Sequence, residues 1–165
     1  MSQVPTFRPV SWPAAALHLV MLSGGIAGLH GIWGVGLPKS MVIGAGVYLA
    51  YSFGSRAWLT RHHRAGMRRV KQGEFADAIS HFEASEAFFE RHRWVDRWRA
   101  ATMASAAKLT FHEMALVNQA FCYGQIGNAA AARALYNRTL AQYPGNVIAT
   151  TALRLLDSAA VTTEA

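Results

Sequence analysis

The first third of the chain is nearly without charge. Up to Ser55 its only lysine or arginine residues are Arg8 and Lys39, and all nine acids lie from Arg56 onward. Such a division reads as a membrane-type segment joined to a water-facing one. Cysteine is almost missing as well. A lone Cys122 excludes an intrachain disulfide framework and any Cys-rich zinc site. Its place in an apolar helical pattern predicts a buried, structural thiol. The chain also has no phosphate loop, no nucleophile elbow and no helix pair of metal-binding histidines. Its carboxylates are too few and scattered to nominate an acid–base pair. These absences argue against an enzyme, and no cofactor or metal is expected.

What is there is strongly patterned. Of the net charge of +7, six positives fall between Arg56 and Lys71 with no acid among them. Their position directly after an apolar run favours a juxtamembrane role, able to attract anionic headgroups, over a nucleic-acid surface. No nucleic acid is expected as a partner.

Residues 14–36 carry no permanent charge and provide about 20 residues at about 1.5 Å of rise each, enough to cross a hydrocarbon core. Pro38 marks a turn, and a second run from Met41 to Ser55, extended to Leu59, forms the other arm. Trp12, Trp33, Tyr51 and Trp58 lie near the ends, where amphipathic rings favour an interface. Gly24 with Gly28, Ala27 with Gly31, and Gly46, Ala50 and Gly54 are spaced to let membrane helices approach closely. A cleaved signal peptide, a buried soluble hairpin and two re-entrant or interfacial helices are the alternatives. The reading is a transmembrane hairpin over 14–59, after an N-terminal segment 1–13. The basic cluster after the second arm then places both termini in the cytoplasm. His18 and His30 are twelve residues apart, about 18 Å along one helix, and cannot share one iron. Helix–helix hydrogen bonding is their economical role, with a haem or quinone site as the alternative.

Past the basic stretch, helical periodicity breaks at Gly73 and resumes from about Glu74. Gly66, Gly73, Phe75, Ala78 and Phe82 resemble the signature of a tetratricopeptide repeat, departing from it at Arg69, where an aromatic residue is usual. A second segment, Glu113 to Gly145, resembles it more closely. Ala120, Tyr123, Gly127, Ala132, Tyr136 and Pro144 stand at its small, aromatic, turn, small, aromatic and proline positions. Thr110 to Glu113 reads as a capping box, which starts a helix near Phe111. The two glycine turns are 54 residues apart, against roughly 34 in contiguous repeats. The insert, residues 91–109, extends the second helix and adds a short one from about Val95. Residues 146–159 read as a closing helix and 160–165 as a disordered tail.

The expected fold is all-α: a two-helix transmembrane hairpin, then a short tetratricopeptide-like solenoid over 60–159. The resemblance implies a concave, partner-binding face built by the first helix of each repeat. Its residues would be His63, Met67, Val70, Lys71, Val117, Phe121 and Gln125. The family's carboxylate clamp would find only Lys71 and Asn118. Trp94 and Trp98, at i and i+4, pack between repeats or anchor a partner. The expected function is a membrane-anchored adaptor or scaffold that recruits protein partners, with the lipid bilayer as a further partner. The alternatives are an accessory subunit held in a larger membrane complex by its glycine-rich hairpin, and a haem- or quinone-associated protein using His18 or His30.

Overall fold

The computed structural model describes residues 12–105 and 107–164. Among them the chain is all-helical, without a strand. The helices are α1 (Trp12–Gly31), α2 (Leu37–Leu59), α3 (Arg61–Gln72), α4 (Phe75–Arg91), α5 (Arg93–Arg97), α6 (Arg99–Met103), α7 (Phe111–Gln125), α8 (Ala129–Gln142) and α9 (Val147–Glu164). Residues 1–11 of the expected N-terminal segment, and Ala165 of the expected tail, lie outside the described residues. Among the described residues the backbone forms two compact units: one from residues 12–59, 94–105 and 107–108, the other from residues 60–93 and 109–164.

In the first unit α1 pairs with α2, and α6 packs on both. The helices pack closely at Gly44, where a Cβ would come within 2.8 Å of Ile26 Cγ1. At Gly24, Gly28, Gly31, Gly46 and Gly54 a Cβ would meet nothing within 4 Å. Ala50 is exposed. Polar groups of the hairpin bond to the backbone of the insert. His18 Nε2–H donates to the Ala100 carbonyl at 3.0 Å, and Arg56 Nε donates to Met103 at 3.2 Å. Tyr51 and a second Arg56 nitrogen donate to the carbonyls of Ala101 and Ala104. His30 Nδ1–H donates to Val35 at 2.9 Å.

These helices correct one expectation. No helix among the described residues is long and apolar enough to cross a membrane. A multi-pass integral membrane protein with a transmembrane hairpin and both termini cytoplasmic is therefore not supported. The reason is that lack of charge is not the same as apolarity. His18, Ser23 and His30 interrupt α1, while α2 holds Lys39, Tyr48, Ser52, Ser55 and Arg56 within its length. Each such group weakens transfer into hydrocarbon.

The second unit is a series of helices, each packed on the next: α3 on α4, α4 on α7, α7 on α8 and α8 on α9. Gly66 sets the first of these distances. A Cβ there would come within 2.8 Å of the Phe82 ring, so only glycine lets α4 approach this closely. Phe82 is fully buried in a core with Ala78, Cys122 and the nearly buried Ile79, and Met67, Val70, Phe75 and Tyr123 pack around them. A second core joins α7, α8 and α9 through Val117, Ala120, Ala132, Tyr136 and Ala149. Positions 54 apart do corresponding work in the two cores: Ala78 and Ala132, then Phe82 and Tyr136, each pair on the second helix of its hairpin. Full burial of a side chain such as Phe82 contributes about 1.5–3 kcal/mol.

The turns follow local chemistry. Gly73 and Gly127 adopt φ of +79° and +81°, the left-handed conformation that ends α3 and α7. Thr110 and Glu113 form a complete capping box at the start of α7. Asn128 caps α8, its side chain accepting from the Ala131 N–H at 3.0 Å.

Candidate partner-binding face

On α7, residues 118, 121 and 125 share one side, and on α3 residues 67 and 71 share another. Asn118 joins the two rows, its Nδ2 lying 3.7 Å from Met67 Sδ. Phe121 lies between Asn118 and Gln125 on the α7 row. It is 40% exposed and sets its edge against Phe75 with ring centroids 5.9 Å apart. Lys71 and Gln125 are exposed, while Met67 and Val70 are half-buried against the core around Phe82.

Two residues expected on this face point inward instead. Val117 is 6% exposed and belongs to the core with Ala120 and Tyr136. His63 is wedged edge-on between Phe82 and Phe111, at centroid distances of 5.4 and 5.5 Å. Its Nδ1 is buried with no hydrogen-bond partner, and burial pushes its pKa down to about 4. At neutral pH this histidine is an uncharged packing residue. Periodicity puts residues 63, 67 and 70 on one helical side but does not fix how far the neighbouring helix wraps around it.

The chain matches no family model, no curated protein and no solved structure. The functional reading therefore rests on this geometry and on the sequence.

Polar groups that the sequence did not single out lie inside the second unit. Glu86, 8% exposed on α4, accepts from Gln119 Nε2 at 2.6 Å on α7 and pairs with Arg138 at 2.6 Å on α8. One carboxylate thus ties three helices. Glu86, Glu90 and His112 bring a donor atom each within 4.8 Å of one another. His112 Nδ1 lies 2.9 Å from the Tyr143 hydroxyl. The Arg138 guanidinium already answers the Glu86 charge, which works against a cation in that cluster. The available signal was Gln119, which with Asn118 interrupts the otherwise apolar stretch Ala115–Phe121.

Cys122 is fully buried, and burial raises its thiol pKa to about 11, which makes it an inert packing group. Trp94 and Trp98 are 62% and 60% exposed, so they do not pack as core. His18 and His30 each bond a backbone carbonyl.

Proposed function

We propose that the second unit is a tetratricopeptide-like adaptor that recruits a protein segment on the face shared by α3 and α7 and catalyses nothing. The hairpins α3–α4 and α7–α8 are its repeats, and α9 is the closing helix. One observation carries this reading: Phe121, a large aromatic residue on a first helix, is left 40% exposed on the side of α7 that also carries the amides of Asn118 and Gln125. An exposed aromatic ring flanked by polar groups is the composition of a binding hot spot. Lys71, Asn118 and Gln125 favour a partner segment that offers an apolar side chain next to a carboxylate or backbone carbonyls.

A photo-crosslinking residue at position 121 in the full chain tests this in cells. The expected result is one dominant adduct, whose purified component binds the wild-type chain and binds Phe121→Ala at least about tenfold more weakly. The same probe at exposed Asn137, on α8, is the control. Equal labelling from both positions, or unchanged binding by Phe121→Ala, would overturn the reading.

A further inference from the structure

The first unit leaves an unusual amount of apolar surface uncovered. Apolar residues stand on every side of α1 and make up most of α2, yet among the described residues α1 is packed mainly by α2 and α6, and α2 mainly by α1 and α6. Val20, Val42, Val47 and Phe53 are between 64% and 75% exposed. A helix that is apolar all round requires cover all round. All five tryptophans of the chain lie in this unit, and every one is at least 60% exposed. Trp12 opens α1, Trp33 follows its end, and Trp58 closes α2.

Charge selects among the surfaces that might cover it. The described part of this unit holds five bases, Lys39, Arg56, Arg97, Arg99 and Lys108, against one acid, Asp96, a net of five minus one, or +4. The Arg99 guanidinium donates to the neutral carbonyls of Ala107 and Lys108 at 2.9 and 2.8 Å, which keeps its charge. A second copy of the chain would bring the same positive charge to the contact. An anionic lipid surface brings the opposite charge, an apolar layer and the interfacial zone that tryptophan favours.

We propose that the first unit docks on an anionic lipid surface, with its uncovered apolar faces and exposed tryptophans lying in the headgroup and upper acyl region of one leaflet. The docking crosses nothing. It needs apolar surface that can meet an interface, and does not need a helix apolar enough to span one. It is independent of the partner face on the second unit.

The test is flotation of the full chain with vesicles of phosphatidylcholine alone or of phosphatidylcholine with phosphatidylglycerol. Tryptophan fluorescence is followed in parallel, since every tryptophan reports on this unit. The chain is expected to float with the anionic vesicles and about tenfold less with the neutral ones. Its emission should shift to the blue, with quenching by lipids brominated on the acyl chain. Val42→Asp with Phe53→Asp should reduce flotation about tenfold at unchanged helix content, while Val147→Asp on exposed α9 should not. Failure to float with anionic vesicles, or absence of acyl-chain quenching of the wild-type chain, overturns the proposal without reliance on any variant. A lipid-free dimer that the double variant dissolves would assign the surface to a second copy and overturn it too.

Discussion

Glu113 and Asn146 join the starts of two helices that are far apart in sequence. Glu113 closes the capping box of α7 by accepting from the Thr110 N–H at 3.3 Å, and its other oxygen accepts from Asn146 Nδ2 at 2.8 Å. Asn146 in turn accepts from the Ala149 N–H at 2.7 Å and so caps α9. Both residues are buried, which strengthens the bonds and raises the cost of losing one. Asn146→Ala removes a cap and leaves a buried carboxylate one donor short. The expected loss is about 2–3 kcal/mol by denaturant melting. A change within about 0.5 kcal/mol would mean that the relay adds little to stability.

Gly127 ends α7 at φ +81°, a conformation that β-branched residues strongly resist. Gly127→Val should lower the stability of the full chain by about 1 kcal/mol or more, seen as a lower thermal midpoint. Gly127→Asn, which tolerates the left-handed region, should recover part of the loss. Equal midpoints for all three proteins would show that this turn is not held as described.

His63 makes stability depend on pH. Its pKa of about 4 in the folded chain lies below the ordinary 6.5, because burial between two phenyl rings disfavours the charged form. The unfolded chain therefore binds more protons between these values, and stability falls as pH drops through that window. Each pH unit across the window is worth about 1.36 kcal/mol, so the full effect is about 3 kcal/mol. His63→Leu should flatten this part of the profile while costing little at pH 7, since the buried Nδ1 makes no bond that would be lost. An unchanged slope in the variant would assign the acid sensitivity elsewhere.

Phe121 and Phe82 make a matched contrast. Phe82 is fully buried against Gly66 and His63, so Phe82→Ala should cost about 3–5 kcal/mol. Phe121 is 40% exposed and touches Phe75 by one edge, so Phe121→Ala should cost about 1 kcal/mol. Similar losses for the two variants in urea melts would place Phe121 in the core and remove it from the partner face.

Ser85 tests the opposite sign. Its hydroxyl is buried on α4 with no partner. Ser85→Ala should leave the protein as stable or raise its stability by up to about 1 kcal/mol. A loss larger than that would reveal a bond made by the hydroxyl.

The sequence by itself marked the start of α7 and the glycine turns after α3 and α7, although it ended the closing helix at residue 159 and α9 runs to Glu164. A capping box at Thr110 and Glu113, and glycines at 73 and 127, act through atoms only a few residues away, so their signature is local and readable. The small and aromatic positions at 66 and 82 were legible for a related reason, since a helix pair joined by a short turn has a fixed register. Only the tertiary structure decided which residues of α3 and α7 face outward. His63 and Val117 were read as surface, but the neighbouring helices cover them, and the depth of that cover depends on contacts made across long stretches of chain. The same holds for Glu86, whose partners lie 33 and 52 residues further on. The hairpin shows the limit most clearly. An uncharged run predicted helices in the right places, because helix formation needs only backbone bonding and tolerant side chains. Whether such helices cross a membrane depends on the summed transfer cost of histidines, serines, tyrosines and terminal charges. Several of those same groups instead bond the backbone of a segment more than 40 residues away.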